Sequence, residues 1–276
     1  MVTVVLPLRQ EKNFPFVPET AMNEQGAFKD HFSSQAGAYQ RFRPDYPPAL
    51  FAWLAGLVDS HDCAWDCGCG NGQAAHGLAP YFRQVQASDP SAEQIDRARP
   101  HPAIRYFVAT GEDSGLADSS VDLVVVAQAL HWFDFPRFYA EVRRVARPGG
   151  VLAAIGYGEL QLGGELDTVS DHFYRKIVGP YWPPERRYVD EAYRTVPFPF
   201  SELATPTFEL AADWDLEHLL GYYGTWSAVK EYRRIGAGDP LPALRQALTK
   251  LWGHPQQLRR VRWPLFMRVG RIGEAP

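Results

Sequence analysis

Short apolar runs alternate with helical patterns through much of the chain. The runs cover residues 63–65, 85–87, 104–109, 121–126 and 151–155. Helical spacing of apolar residues lies between them or beside them, and strands that alternate with helices predict a parallel sheet covered by helices. The run 121–126 is nearly continuous, which is typical of a central strand buried on both faces. We therefore expect an α/β fold.

A glycine turn follows the first of these runs. Gly68, Gly70 and Gly72 stand at alternate positions after Asp66. Glycine adopts positive φ and lets the backbone approach a ligand that a Cβ would push away, and the N–H groups that begin the following helix face that ligand. The pattern predicts a strand, a turn and a helix that together bind a nucleotide-like molecule.

This turn departs from the dinucleotide fingerprint, because Gln73 stands where the third glycine would pack helix against strand. A second acidic residue, Asp89, ends the next apolar run, at a spacing that suits a carboxylate accepting hydrogen bonds from two ribose hydroxyls. Asp66 and the glycines together resemble the first motif of the class I S-adenosylmethionine-dependent methyltransferases, an acidic residue followed by x-G-x-G-x-G.

The resemblance covers residues 28–272 and implies the fold: a seven-stranded Rossmann-like methyltransferase sheet, mostly parallel with an antiparallel last strand, and helices on both faces. We expect a loose lead over residues 1–27 and one domain over residues 28–276. That domain would comprise a lid and first helix (28–60), a cofactor-binding core (61–157), a substrate cap insertion (158–204) and the C-terminal part of the sheet (205–276). Strand six is expected at 208–212 and strand seven at 259–271, with helices at 91–99, 216–232 and 242–252.

The resemblance also implies which residues contact S-adenosylmethionine. In the core these are Asp66, Gly68, Gly70, Asn71, Asp89, Pro90, Gly111, Glu112 and Gln128. Relatives often carry an aspartate at the position of Thr110, so here we expect the adenine to be met by backbone N–H groups of Gly111 or Glu112.

Residues 32–47 resemble the N-terminal lid of a small-molecule subgroup that includes trans-aconitate-type enzymes. Arg43 is the candidate for the methionine carboxylate, since a guanidinium can grip both oxygens. Tyr39 would cover the site, and Arg41 is expected to be a solvated surface residue.

The sequence A-Q-A-L-H-W follows the run 121–126, and it matches the same subgroup closely. Ligands of open α/β sheets lie beyond the carboxyl ends of the strands, so Gln128, His131 and Trp132 are expected at the mouth of the site. His131 is either a catalytic base or a structural histidine. The acceptor pocket is expected to include Trp132, Tyr157, Tyr222 and Trp226.

The composition of the chain limits which classes of partner it can bind. The 276 residues are 46% hydrophobic, enough for a core, and the formal net charge of −4 offers no basic field for a nucleic acid. No apolar stretch reaches the ~20 residues that span a bilayer, and the N-terminus lacks the features of a secretory signal. We expect a cytoplasmic monomer or homodimer that acts on a small-molecule acceptor.

All three cysteines, Cys63, Cys67 and Cys69, lie in or beside the glycine turn. A zinc site needs four ligands, or three and a water, whereas the direction of the backbone here is already set by the turn. Free thiols are therefore expected, with no metal, in keeping with a reducing compartment.

The predicted reaction is methyl transfer to an oxygen (carboxylate or hydroxyl) of the acceptor, with nitrogen or carbon less favoured. Two other classes stay open at this stage. One is a nicotinamide-dependent oxidoreductase, which Gln73 and Asp66 disfavour. The other is a non-catalytic module that binds S-adenosylmethionine for a partner, because a binding loop shows binding only.

Overall fold

The protein is described from a computed structural model over residues 41–273. The predicted lead, most of the predicted lid and Tyr39 lie outside the described residues. The central element is a seven-stranded sheet of order β3-β2-β1-β4-β5-β9-β6. Its strands are β1 (Cys63–Cys67), β2 (Gln84–Asp89), β3 (Ile104–Val108), β4 (Val121–Ala127), β5 (Ala146–Tyr157), β6 (Ser201–Glu202) and β9 (Leu265–Arg271).

The first five strands are parallel, and β9 runs antiparallel to both β5 and β6. This confirms the expected seven-stranded, mostly parallel sheet with an antiparallel last strand. The central strands are buried along nearly their whole length, as the continuous apolar run at 121–126 predicted.

Helices cover both faces of the sheet. On one face lie α1 (Pro48–Ala55) and α2 (Gln73–Leu78), and their apolar side chains form one core with the sheet. On the other face lies α4 (Phe135–Val145), which buries Phe138, Val142 and Val145. The short α3 (Ala92–Asp96) links β2 and β3. It ends at Asp96, three residues earlier than the predicted 91–99 helix.

A cap stands beyond the carboxyl edge of the sheet. It contains α5 (Glu165–His172), a π-helical turn (Phe173–Ile177), a 3-10 turn (Gly179–Tyr181), α6 (Arg186–Asp190), α7 (Leu216–Gly224), α8 (Ser227–Arg234) and α9 (Leu241–Trp252). A separate two-stranded ribbon of β7 (Leu210–Trp214) and β8 (Arg259–Trp263) joins them. Buried aromatic residues such as Tyr223, Trp226 and Trp252 form its core.

The predicted positions of two strands were wrong. The segment 208–212 is not strand six, because β7 pairs with β8 in the ribbon, and the sixth strand of the sheet is Ser201–Glu202. The predicted strand at 259–271 is two strands in two sheets. Pro264 divides it, since proline has no N–H for a ladder hydrogen bond. Hydrophobic runs alone do not say which sheet a strand joins.

The predicted helix at 216–232 is also divided. Trp226 precedes α8 and has extended backbone, with φ −68° and ψ 135°. The hydroxyl of Thr225 donates a 2.6 Å hydrogen bond to Tyr222 O, which satisfies a carbonyl at the end of α7. The break turns Trp226 into the cap core, where it is 4% exposed.

Candidate active site

The candidate site lies at the carboxyl edge of the parallel strands. β1 pairs with β2 and with β4, and β4 pairs with β5, all in parallel register. The loops that follow these four strands therefore meet at one edge. The sequence places the glycine turn, Asp89, Gln128 and Tyr157 at these four strand ends, so the fold brings the predicted residues of separate motifs together.

The glycine turn needs glycine for two different reasons. Gly68, Gly70 and Gly72 have φ of 70°, 54° and 91°, a region that residues with a Cβ rarely adopt. A Cβ at Gly68 would come within 2.6 Å of the Ala129 Cβ, and one at Gly72 within 2.2 Å of the Tyr106 hydroxyl. At Gly70 a Cβ would meet only an oxygen of Gln94, at 4.0 Å. Gly70 therefore faces the open part of the turn.

Asp66 is completely buried behind this turn. Its Oδ2 accepts a 2.8 Å hydrogen bond from the N–H of Ala75 in α2, whereas Oδ1 has no partner within the described residues. Burial, with the nearby charge of Asp89, raises the pKa of Asp66 to about 7. The amide Nδ2 of buried Asn71 also has no partner in the described part of the chain. The turn thus presents a buried acceptor and a buried donor that a ligand could satisfy.

Asp89 is the last residue of β2, as predicted. Its Oδ2 accepts from the N–H of Gly70 at 2.9 Å, and its Oδ1 accepts from the N–H of Ser91 at 2.9 Å. Oδ2 thereby faces the glycine turn, and Oδ1 faces the start of α3. Each oxygen has two lone pairs, so the arrangement leaves capacity for hydroxyl donors of a ligand.

The turn after β3 is packed against the end of β1. A Cβ at Gly111 would lie 3.1 Å from the Cys67 thiol and from the Phe133 ring, so a larger residue would crowd both neighbours. The carboxylate of Glu112 accepts a 2.9 Å hydrogen bond from the N–H of Asp134. Its side chain is therefore engaged at the start of α4, which leaves backbone groups for a ligand. Pro90 is half-buried beside Asp89.

The three cysteines are free thiols. Burial raises the pKa values of Cys67 and Cys69 well above the usual range and that of Cys63 to about 11. Protonated thiols are poor metal ligands and poor nucleophiles. Within residues 41–273, no group of three Cys, His, Asp or Glu side chains could hold a metal ion.

A cavity of about 60 Å³ lies between the sheet edge and the cap. It brings together seven of the predicted site residues: Arg43, Gln128, His131, Trp132, Tyr157, Tyr222 and Trp226. Its remaining wall is formed by Gly158, Glu159, Trp182, Pro183, Arg186 and Ser227. The cavity is therefore aromatic, with two arginines and one glutamate among its walls.

Arg43 is held against two aromatic residues of this cavity. Its Nη1 donates a 3.1 Å hydrogen bond to the Tyr157 hydroxyl, and its guanidinium lies 5.0 Å from the centre of the Tyr222 ring. The Tyr222 hydroxyl in turn accepts from the Trp263 indole N–H at 3.0 Å. The guanidinium is thus fixed in the cavity wall by a hydrogen bond and a cation–π contact.

Comparisons with known proteins agree on one family. A model described as a methyltransferase domain matches residues 65–154. A protein of Dictyostelium discoideum, provisionally named a methyltransferase, is 34% identical over 255 residues, 88% of this chain and 95% of that protein. A solved structure from Anaeromyxobacter dehalogenans, provisionally described as a type II methyltransferase, is 50% identical with a TM-score of 0.78, covering 83% of this chain and 98% of that one. The chain belongs to the S-adenosylmethionine-dependent methyltransferases.

A more distant match is the malonyl-(acyl-carrier protein) O-methyltransferase of Pectobacterium atrosepticum, 37% identical over 131 residues. That alignment covers 46% of this chain and 51% of the other enzyme. Membership of this family favours methyl transfer as the activity of the chain. The two other classes, a nicotinamide-dependent oxidoreductase and a non-catalytic binding module, are disfavoured. The trans-aconitate-type subgroup stays a prediction.

Two further contacts define the sheet side of the methyltransferase cavity. Gln128 has φ of 58°, unusual for a residue with a side chain, and strained backbone of this kind clusters at functional sites. Its N–H donates to Ile155 O at 2.8 Å and its side-chain amide donates to Tyr157 O at 2.9 Å. These bonds hold the strand ends of β4 and β5 together beneath the cavity.

His131 is buried under the cap. Its Nδ1 lies 3.0 Å from the hydroxyl of Tyr193, which is completely buried. Burial, and then the charge of Arg186, lower the pKa of His131 to about 3. The imidazole is therefore neutral at physiological pH and holds protons weakly.

Sequence analysis missed six cavity residues, and three of them carry polar groups or rings that matter for binding: Glu159, Trp182 and Arg186. Glu159 follows the end of β5, where the rule of strand carboxyl ends could have found it. Trp182 and Arg186 lie in the aromatic, proline-rich stretch that was assigned to the cap without single residues being chosen. No spacing motif marks them, because a cap segment reaches the cavity only through tertiary packing.

Proposed function

We propose that this chain transfers the methyl group of S-adenosylmethionine to an oxygen of a small organic acceptor. The observation that carries the proposal is the coincidence, at one sheet edge, of an open glycine turn, a carboxylate that faces it and an aromatic cavity over the neighbouring strands. The cofactor supplies a methyl group already activated by the sulfonium.

The residues at the turn fit that cofactor. Gly70 leaves room where a Cβ would intrude, and Asp66 Oδ1 and Asn71 Nδ2 are buried polar atoms without partners in the described chain. Asp89 would hold the ribose hydroxyls. The remaining cofactor contacts proposed are those of the sequence prediction: Gly68, Pro90, Gly111, Glu112, Gln128, and Tyr39 and Arg43 of the lid.

Arg43 would meet the methionine carboxylate, since its guanidinium is already held in the cavity wall. The acceptor would lie against Trp132, Tyr157, Tyr222 and Trp226. These walls would orient the accepting oxygen in line with the methyl carbon and the sulfur, and alignment is a large part of the catalytic effect in such reactions.

An oxygen acceptor is supported by the charges of the cavity and by one relative. The distant match from Pectobacterium is named an O-methyltransferase. A carboxylate acceptor would have no proton to lose on receiving the methyl group that the cofactor supplies, because the electron pair of the broken carbon–sulfur bond would stay on sulfur. That step needs no base, which accords with the low pKa of His131. A hydroxyl acceptor would have to lose a proton.

No helix of residues 41–273 is both long and apolar enough to cross a membrane. We also propose a cytoplasmic location, supported by the free thiols of the glycine turn.

The test is a screen for S-adenosylhomocysteine formation with carboxylic acids, phenols, alcohols and amines, together with calorimetry of cofactor binding. We expect micromolar or tighter cofactor binding and turnover with oxygen acceptors. Absence of cofactor binding would refute the proposal, and turnover restricted to amines would refute its choice of oxygen.

A further inference from the structure

Arg186 is a cation in the wall of an otherwise mainly aromatic cavity. It begins α6 in the cap, and its side chain is 21% exposed. Its guanidinium lies 4.7 Å from the centre of the Trp182 ring and 5.4 Å from that of Tyr174. A charge in such surroundings is costly unless it is paired, so its partners are informative.

The partners of Arg186 engage one end of the guanidinium. Its Nε donates to the Tyr174 hydroxyl at 2.8 Å and to Asp190 Oδ1 at 3.2 Å. The Tyr174 hydroxyl also donates to Asp190 at 2.6 Å. Within residues 41–273 the two terminal nitrogens of Arg186 make no hydrogen bond. Those nitrogens form the edge of the guanidinium that takes a carboxylate with two parallel bonds.

The frame that holds Arg186 is itself unusual. Tyr174 belongs to the π-helical turn Phe173–Ile177 between α5 and the 3-10 turn. Such turns are rare in proteins overall, and those that occur often lie at functional sites. Here the turn puts the Tyr174 hydroxyl between Arg186 and Asp190, which fixes the orientation of the guanidinium plane.

Trp182 gives a second, independent observation. It lines the same cavity, and its indole nitrogen is buried with no hydrogen-bond partner in the described part of the chain. A buried indole N–H usually has an acceptor. A ligand oxygen beside Arg186 would supply one.

The other charges of the cavity leave it electropositive near neutral pH. Arg43 is the second cation of the lining, and Glu159 is the carboxyl group. Burial, and then Asp171, raise the pKa of Glu159 to about 7. With Glu159 largely protonated, the cavity lining itself holds two guanidinium groups and little negative charge. Asp190 lies outside the lining and pairs with Arg186 through Nε, away from the terminal nitrogens.

We propose that Arg186, with the indole N–H of Trp182, binds an anchoring carboxylate of the methyl acceptor, and that Arg186 thereby selects acidic acceptors. This rests on the proposed function, in which Arg43 serves the cofactor and the cap side of the cavity serves the acceptor. The anchoring group is distinct from the oxygen that receives the methyl. Two hydrogen bonds to a guanidinium lower the nucleophilicity of the oxygens they engage, so a second oxygen of the acceptor takes the methyl group. The acceptor class is then a hydroxy acid or a dicarboxylic acid with a flat or apolar skeleton.

The test compares benzoate with benzamide, which share a shape and differ in charge. Binding is followed by quenching of tryptophan fluorescence and by the shift in melting temperature, without cofactor. We expect the unaltered protein to bind benzoate at least tenfold more tightly than benzamide, as a charge-assisted bond implies. Arg186→Met should abolish this preference and Arg186→Lys should keep part of it.

Arg187→Met is the matched control. Arg187 is the next residue of the same helix, is exposed, and contacts Tyr188 outside the cavity. It should keep the preference for benzoate. If the unaltered protein binds the two probes with equal affinity, or binds neither, the proposal is overturned. This part of the test does not depend on whether a variant folds.

Calorimetry with S-adenosylhomocysteine separates this proposal from the proposed function. If the cofactor product binds but benzoate is not preferred, only the role of Arg186 is lost. If benzoate is preferred but the cofactor product does not bind, the proposed function fails. Once a turned-over acid is known, Arg186→Met should raise its KM at least tenfold while kcat changes less.

Discussion

The hydroxyl of Tyr193 lies 3.0 Å from Nδ1 of His131, and both side chains are buried where β4 meets the cap. The contact ties the loop after β4 to the segment after α6. It gives the imidazole a structural partner on one side, and the cavity adjoins its ring on the other.

The first prediction concerns His131. Because burial lowers its pKa to about 3, it is a weak base, and a general base typically contributes ~10²- to 10⁴-fold. We expect His131→Gln to lose less than ~10²-fold in turnover and to keep its cofactor affinity. Steady-state kinetics over pH 5 to 9 checks this. A larger loss of turnover at constant cofactor affinity would establish His131 as the base.

The second prediction concerns Asp89. Loss of a charge-assisted hydrogen bond costs ~1.5 to 3 kcal/mol, so Asp89→Ala should weaken S-adenosylmethionine binding by roughly tenfold or more. Calorimetry measures it. Glu93→Ala, which removes an exposed helical ion pair with Arg97, serves as the control. An unchanged dissociation constant for Asp89→Ala would remove Asp89 from the ribose site.

Arg43 and Arg41 form a natural pair for the third prediction. Arg41 is exposed and stacks on Phe42, whereas Arg43 reaches Tyr157 and Tyr222 in the cavity wall. We expect Arg43→Met to raise the cofactor dissociation constant roughly tenfold or more, by the same charged hydrogen-bond energy. Arg41→Met should leave it unchanged. Equal effects of the two would mean that Arg43 acts through lid folding.

The fourth prediction uses the raised pKa of Asp66, about 7. In the folded protein Asp66 keeps its proton up to that pH, whereas in the unfolded chain it loses the proton near ~4. Between these values the folded state binds more protons, so stability falls as pH rises through 7. Asp66→Asn should therefore lose less unfolding free energy between pH 5 and 8 than the unaltered protein does. Urea unfolding at both pH values measures the difference, and identical losses would contradict the assignment.

The fifth prediction concerns Glu159, whose pKa is raised to about 7. Asp171 and Asp190 raise it, Arg175 and Arg186 lower it, and Arg43 and neutral His131 share the cavity. Ionisation above pH 7 adds a negative charge to the cavity, so benzoate binding should weaken as pH rises through that value. Glu159→Gln should flatten this dependence. Fluorescence titration at pH 6 and 8 checks it, and tighter binding at pH 8 would oppose the proposed charge of the cavity.

The sequence predicted the sheet and the positions of the glycine turn and Asp89 at its carboxyl edge because both depend on local patterns. Strand ends, a glycine turn and an aspartate after a strand are fixed by neighbours in the chain, so Gly68 and Asp89 could be located directly. Gly70 was correctly predicted to lie in the turn. Only the folded structure shows that its surroundings are open, because the nearest atom to a Cβ there would be the Gln94 side-chain oxygen.

The cap could not be predicted in the same way. Its walls come from segments far apart in sequence, such as Trp182 and Trp226, whose rings are 5.3 Å apart. Their aromatic composition indicates burial but not a partner. For the same reason β7 was assigned to the wrong sheet, since a short and mostly apolar segment fits a ribbon as well as a sheet edge.

The division of one strand-forming segment at Pro264 has a mechanical consequence. β8 belongs to the ribbon of the cap, and β9 begins after a single residue and pairs with β5 in the central sheet. The Pro264 carbonyl is bonded to the N–H of Gly158, just after β5. The one-residue connection and this hydrogen bond therefore restrict hinge motion between the cap and the central sheet. Substitution of cap side chains is therefore expected to reshape the cavity while the cap keeps its position relative to the sheet.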